Sequence, residues 1–291
     1  MPDVLAPLRR PSGAFAMLAL DQRESLRTMM GGGDVPDAAL SEFKVDAARA
    51  LTPAASAVLL DVDFGLEPVR RANAIAGGCG VIVAADTLTK QPGGPVEWTT
   101  TDERVLGDDG IAAIADAYKL LVIWRRGEAA ERAAVVETFV AGCRRRGRAA
   151  IVEGIVRGTD GPSPGGDRHA ELVLEAAVEL AGLGADLYKA EVPTLGGADD
   201  GAIERHARRL TDALPCPWVV LSNGTPAARF GTATVAACRG GASGFLAGRA
   251  IWTDSLAAPD IPAHLAAVAA PRLDALARAV DEAVAAGKET R

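Results

Sequence analysis

Cysteine is sparse. The four residues, Cys79, Cys143, Cys216 and Cys238, are far apart and none forms a CxxC pair, so neither a disulfide framework nor a cysteine metal site is expected. Histidine is scarcer still: His169, His206 and His264 form no HxH or HxxxH pair, which argues against a zinc-dependent aldolase or hydrolase. Aromatic residues make up 4% of the chain. No GxSxG elbow, P-loop or GxGxxG fingerprint is present; Gly31-Gly32-Gly33 lacks the spacing and follows a helix-like stretch. No window of about 18 unbroken apolar residues occurs, and the first residues lack the basic-then-apolar pattern of a signal peptide. These absences lead to the expectation of a reduced, cytoplasmic protein with no membrane contact.

What is present is ordinary for a globular enzyme. Hydrophobic residues account for 49% and charged residues for 24% of 291 residues, with a formal net charge of −7. Ala, Val, Leu and Gly abound, as in tightly packed helices on buried strands. No basic patch suited to nucleic acid dominates, and Arg144-Arg145-Arg146 reads as the solvated end of a helix.

Eight short apolar runs recur: Phe15–Asp21, Ala57–Asp61, Val81–Asp86, Ala117–Trp124, Ala150–Arg157, Asp186–Val192, Trp218–Ser222 and Gly244–Ile251. Little alternation within them marks strands buried on both faces. Helical spacing falls between them, at Ala38–Leu51, Ala129–Arg146, His169–Leu183, Ile203–Leu214 and Thr232–Arg239, with Gly147, Gly184 and Gly241 as stops. This order predicts an α/β protein with a single (β/α)8 TIM barrel, rather than an open Rossmann-like sheet. Residues 1–291 read as one domain, with a helical tail at about 259–291. Gly158–Gly166, after the fifth strand, reads as an active-site loop.

In this fold, chemistry gathers where strands end at their C-terminal side. The first strand ends in Asp21-Gln22-Arg23, the second in Asp61 and the third in Asp86. Lys119, Glu153, and Lys189 with Glu191 lie on strands four, five and six. Ser222-Asn223-Gly224 and Gly248-Arg249 close strands seven and eight. Lys189 sits among apolar neighbours, where a lysine is a nucleophile for ketones, forming an iminium that serves as an electron sink. Lys119, two strands away, shares its barrel layer, and a second ammonium there is expected to weaken protonation of the first. The competing reading is a structural ion pair of Lys189 with Glu153 or Glu191. Glu153, in phase with Ile151, either moves protons at a substrate oxygen or pairs with a lysine. Ser222, Gly224, Gly248 and Arg249 suit an anion, or else mark tight turns and a surface ion pair. Asp21 either faces the mouth or caps a helix.

The segments SGAFAMLALDQRES (Ser12–Ser25), FKVDAAR (Phe43–Arg49), ASAVLLD, KLLVIWR, GADLYKAEVP, VVLSNG and GASGFLAGRAIW resemble the class I aldolase family that includes tagatose 1,6-bisphosphate aldolase and sulfofructosephosphate aldolase. KLLVIWR and GFLAGRAIW are closer to the sulfofructosephosphate branch. The resemblance implies retro-aldol cleavage of a phosphorylated ketose, 6-deoxy-6-sulfofructose 1-phosphate, to dihydroxyacetone phosphate and an aldehyde. It implies Lys189 as the Schiff-base lysine, Glu153 as proton shuttle and Lys119 as assistant. Asp21, Gln22 and Arg23 would hold substrate, and Ser222, Asn223, Gly224, Gly248 and Arg249 would line its anionic end. No cofactor or metal is implied, and aldolases of this kind associate, so a homo-oligomer is expected. The alternatives are cleavage of tagatose 1,6-bisphosphate or another ketose phosphate, and a non-catalytic sugar-phosphate-binding barrel. The segments GTDGPSPGG and TLGGADDG bring no cation to the mouth, and Asn223 stands where the sulfonate branch leads one to expect Ser.

Overall fold

The computed structural model describes residues 3–91, 94–158 and 165–289. The described residues form ten strands: β1 (Phe15–Leu20), β2 (Ala57–Leu60), β3 (Gly80–Ala84), β4 (Asp86–Lys90), β5 (Val96–Thr101), β6 (Ala117–Trp124), β7 (Ala149–Val156), β8 (Leu187–Glu191), β9 (Trp218–Leu221) and β10 (Gly244–Ala247). Eight of them close a barrel in the order β1-β10-β9-β8-β7-β6-β3-β2, every neighbouring pair parallel. The predicted (β/α)8 barrel is therefore observed. The remaining two strands, β4 and β5, form an antiparallel hairpin inserted between β3 and β6.

The helices are α1 (Glu24–Met29), α2 (Asp37–Leu51), α3 (Leu66–Arg71), α4 (Glu103–Gly107), α5 (Asp109–Ile114), α6 (Ala129–Arg146), α7 (Gly166–Ala181), α8 (Asp200–Ala213), α9 (Ala227–Arg239), α10 (Arg249–Trp252), α11 (Ile261–His264) and α12 (Ala270–Glu289). Gly147, Gly184 and Gly241 all have positive φ at or just past helix ends, as their stop role requires. No helix among the described residues is long and apolar enough to cross a membrane.

Two expectations need correction. The third strand ends at Ala84, and Asp86 opens the hairpin instead of closing the strand. The eighth ends at Ala247, and Arg249–Trp252 is the helix α10. A short apolar run does not distinguish a buried strand from a buried helical turn, which is why the sequence pattern ran the two together. Of the Gly158–Gly166 loop, residues 159–164 lie outside the described residues.

Period-two alternation sorts the inward side chains into three storeys. At the bottom is an apolar plug that includes Phe15, Met17, Leu59, Ile82, Ala117, Ile151, Leu187, Val219 and Leu246. The next inward positions on three strands are Lys119, Glu153 and Lys189, all buried. Above them Ile123, Ile155 and Leu221 form a smaller apolar rim with Leu121 and Val96. A charged belt is thus held between two apolar layers. The larger core lies outside the strands, under the helices, and includes Trp218, Trp252 and Phe230.

Asp61 stands apart from this belt. It pairs with the ammonium of Lys44 from α2, and both side chains are fully buried. Its Oδ1 also accepts from the backbone N–H of Phe64 at 2.7 Å, which shapes the turn after β2. Asp61 is therefore half of an internal ion pair and does not line the cavity, whereas Val62 and Asp63 just after it do. Removing one partner of a buried pair strands the other charge. We expect Lys44→Ala to destabilise the protein by ~3–5 kcal/mol in urea unfolding, and Lys44→Met with Asp61→Asn to recover more than half of that loss.

Candidate active site

A cavity of about 570 Å³ opens at the C-terminal ends of the barrel strands. Asp21, Gln22, Arg23, Lys119, Glu153, Lys189, Ser222, Asn223, Gly248 and Arg249 all line it. Gly224 does not. It lies on the exposed side of its turn, where a Cβ would stand 2.9 Å from Leu195. Gly248 is obligatory for a different reason: a Cβ there would come within 2.3 Å of the Ala19 carbonyl oxygen, so α10 can begin this close to β1 only without a side chain.

At the floor of the cavity, Lys189 Nζ donates to Glu153 Oε2 at 3.0 Å. Lys119 Nζ lies 3.4 Å from the same oxygen, so the two lysines converge on one carboxylate. The alternative partner, Glu191, turns away from Lys189 toward the rim, where it accepts from the backbone N–H of Val156 at 2.9 Å.

Lys119 is not a bare cation facing Lys189. Its ammonium is 2.8 Å from Asp21 and 2.8 Å from Asp86, and its side chain is 1% exposed. Burial alone would discharge it, but Asp21, Asp86 and Glu153 together hold it charged well above the usual lysine range. The second ammonium beside Lys189 is therefore itself surrounded by three carboxylates. Asp21 experiences the reverse. Burial opposes its ionisation, yet Lys119, Lys189 and Arg23 keep its carboxyl well below the usual range. It caps no helix: α1 starts at Glu24 with Arg23 at its N-cap.

Arg23 is committed to protein carboxylates. It donates to the Asp86 carbonyl at 3.0 Å and to Asp86 Oδ1 at 3.1 Å, with Asp63 at 3.4 Å. Gln22 Oε1 is buried without a hydrogen-bond partner among the described residues, so it has an acceptor to offer a ligand hydroxyl.

Sequence reasoning passed over several lining residues: Asp86 as a participant, Lys90 and Arg104 near the hairpin, and Arg157 just past β7. Arg157 follows Glu153 by four residues on the same face, about 13 Å higher along the strand. Its parity was readable in the sequence. The hairpin left no comparable signal, because its strands DTLTK and VEWTTT are half-exposed and polar. Among the described residues, no carboxylate lies within ion-pair distance of Arg157 or Arg249, whereas Arg104 is paired with Asp102 at 2.6 Å. The mouth therefore offers cations to an anion, above a floor of paired charges.

Comparison with known proteins identifies the family and the fold. The model of one protein family, DeoC/LacD family aldolase, matches residues 15–254. Among curated relatives, the tagatose 1,6-diphosphate aldolase of Listeria monocytogenes serotype 4a (strain HCC23) is 27% identical over 284 residues, covering 87% of this chain and 82% of that protein. Tagatose 1,6-diphosphate aldolase 1 of Streptococcus mutans serotype c is 28% identical over 278 residues, covering 84% and 82%. Among solved structures, an archaeal fructose 1,6-bisphosphate aldolase shares the fold with a TM-score of 0.64 at 16% identity, covering 96% of this chain and 98% of that one. The fructose-bisphosphate aldolase from Slackia heliotrinireducens has a TM-score of 0.65 at 17% identity, covering 99% and 90%.

The belt generates a signed prediction. Asp21 has a depressed folded-state pKa, so its contribution to stability is complete above its unfolded value and lost as pH falls through the folded one. In Lys119→Met the three carboxylates face one another without their shared cation, and their repulsion grows as they ionise. The stability gap between wild type and Lys119→Met should widen by ~1–3 kcal/mol between pH 5 and pH 8, read from urea unfolding at the two pH values.

Proposed function

The chain belongs to the DeoC/LacD family of class I aldolases, and on that premise we propose that it cleaves a ketose phosphate through a Schiff base on Lys189. The observation that carries this reading is the Lys189–Glu153–Lys119 contact at the floor of the cavity, closed below by an apolar plug. Glu153, 3.0 Å from Nζ, is placed to take a proton from the lysine. The free amine attacks the ketone carbon; Glu153 then gives its proton to the carbinolamine hydroxyl, which leaves as water, so that an iminium forms and Glu153 is again a carboxylate. The bond between C3 and C4 then breaks. Its electron pair moves toward the iminium nitrogen to give an enamine, and the C4 hydroxyl yields its proton to Glu153 as the aldehyde departs. Return of a proton to C3 and hydrolysis of the imine release dihydroxyacetone phosphate and restore Lys189. Lys119, held charged by its carboxylates, supplies a fixed positive field beside the reacting oxygens.

Asp21, Gln22 and Arg23 border the ketose on one side, and Gln22 brings the free acceptor noted above. Ser222, Gly248 and Arg249 receive the phosphate end, with Asn223 beside them. Gly224, outside the cavity lining, supports the turn that presents Ser222 and Asn223.

Within this class we propose 6-deoxy-6-sulfofructose 1-phosphate as substrate, giving sulfolactaldehyde as the aldehyde product, on the wording of KLLVIWR and GFLAGRAIW. A sulfonate carries a single charge, and Lys90 and Arg157 line the mouth with no carboxylate within ion-pair distance among the described residues. Tagatose 1,6-bisphosphate is the second reading, favoured by the names of the curated relatives. Side-by-side turnover of the two substrates decides between them: faster cleavage of the bisphosphate overturns the sulfonate assignment.

Borohydride reduction in the presence of dihydroxyacetone phosphate should leave a covalent adduct on Lys189, located by mass spectrometry. An unmodified Lys189 would instead favour a non-catalytic sugar-phosphate-binding barrel. Lys189→Ala should lose at least ~10³-fold in kcat while keeping its far-ultraviolet spectrum, because no neighbouring group replaces a covalent nucleophile. Preincubation with EDTA should leave activity unchanged, since the lysine rather than a metal serves as the electron sink; inhibition by the chelator would reinstate a metal mechanism.

A further inference from the structure

Glu191 follows Lys189 by two residues on β8, so both side chains start from the same face of the strand. They then diverge. Lys189 meets Glu153, while Glu191 reaches the rim and joins three strand ends. Its Oε2 accepts from the backbone N–H of Val156, the last residue of β7, at 2.9 Å. Its Oε1 accepts from Asn223 Nδ2, just past β9, at 2.8 Å. Asn223 Oδ1 accepts in turn from Arg249 Nη2, at the start of α10, at 2.9 Å. Chemistry fixes the direction of this chain. An ionised carboxylate only accepts and a guanidinium only donates, so the amide between them must present its NH₂ to Glu191 and its oxygen to Arg249. Glu191 is 2% exposed, whereas Arg249 is exposed and lines the cavity.

We propose that Glu191 is a positioning residue that, through Asn223, aims the Arg249 guanidinium into the mouth and thereby sets affinity for the phosphate of the substrate. This rests on the reading above that Arg249 faces the phosphate end. It gives Asn223 a physical role in which two separate atoms, Nδ2 and Oδ1, span from an acceptor on β8 to a donor on α10, whereas the single, shorter-reaching hydroxyl of a Ser would have to meet both.

The groups around Glu191 make the chain sensitive to pH. His169 of α7 has Nε2 3.6 Å from Oε2, and burial, with Arg157, lowers its pKa to about 4, so it is neutral near pH 7. Arg157 and Glu153, both from the β7 side, and Tyr188 of β8 are the other titratable neighbours among the described residues. Burial pushes the Glu191 carboxyl up to about 7, against the stabilising pull of Asn223, the Val156 N–H and Arg157. Ionised above that pH, it accepts from Asn223 as described. Protonated below it, the acid donates, the amide turns over, and NH₂ faces the Arg249 donors. Affinity for the anion therefore falls as pH drops through about 7.

The test uses rac-glycerol 3-phosphate, a phosphate monoester with no carbonyl, titrated calorimetrically at pH 8. It forms no imine, so its outcome is independent of borohydride trapping at Lys189. Glu191→Gln keeps the shape of the side chain, but its amide nitrogen cannot accept; with its oxygen on the Val156 N–H it reverses the chain, and binding should weaken about tenfold. Adding Asn223→Asp rebuilds the chain, since the carboxylate introduced at position 223 accepts both from the new amide at position 191 and from the Arg249 guanidinium. The double variant should bind about threefold or more tightly than Glu191→Gln alone, a rescue that a merely structural role for Glu191 would not give. Binding to the wild type should weaken below pH 7, and Asn223→Ala, which leaves Glu191 in place but cuts the link, should lose that step. The ligand's own second ionisation, near pH 6, is common to both proteins and cancels in the comparison. Wild-type affinity for Glu191→Gln, no gain in the double variant, a pH step that survives Asn223→Ala, or no binding to the wild type would each overturn the proposal.

Discussion

The ammonium of Lys119 is the interaction on which the barrel's interior depends. It draws together Asp21 from the end of β1, Asp86 from the base of the hairpin and Glu153 from β7, with 1% of its side chain exposed. Three carboxylates this close to one another, between an apolar plug and an apolar rim, repel one another, and the enclosed ammonium offsets that repulsion. Arg23 and Lys189 add two more positive charges at the edge of the group. The belt thus sets three carboxylates against three cations. The iminium proposed for Lys189 would retain its positive charge, so the balance would hold in that intermediate. That is a physical reason for a covalent cation to be tolerated at this depth.

The same belt relates the two ends of the cavity. Below it, side chains are packed and dry, and the strands meet as a core. Above it, contacts become directional. Asp86 accepts from Lys119, from Arg23 and from the backbone of Leu121, so the hairpin is anchored by its first residue while its remaining length borders the mouth. On the opposite arc Glu191 does for β7, β9 and α10 what Asp86 does for the hairpin, using one buried carboxylate to orient several neighbours. The many ion pairs on the outer helices, such as Arg208 with Glu204, are solvent-exposed and contribute little by comparison.

Much of this was legible in the sequence. Eight apolar runs separated by helical periodicity specify a closed parallel barrel, because strands covered on both faces leave no alternation to read. Within those runs a charge is conspicuous, and Lys119, Glu153 and Lys189 stand out for that reason. Parity placed the two lysines together, and they do meet, at one oxygen of Glu153. Legibility stopped where charge pairing began. Whether Lys189 would meet Glu153 or Glu191 depends on which side chain tilts down and which up, and strand parity does not carry that information. Nor did the sequence reveal that Asp61 belongs to Lys44, since the partner lies on a helix that the pattern places outside the barrel.

By itself, then, the sequence determined the barrel, the level of Lys189 in it and the strand ends that form its mouth, because hydrophobic periodicity is local and survives without neighbours. Only the tertiary structure decided the partners. It gave Lys119 three carboxylates, committed Arg23 to Asp86, moved Gly224 out of the cavity and led Glu191 through Asn223 to Arg249. Those outcomes follow from distances between residues remote along the chain, and electrostatic energy depends on such distances and on the burial that accompanies them, neither of which a linear pattern records.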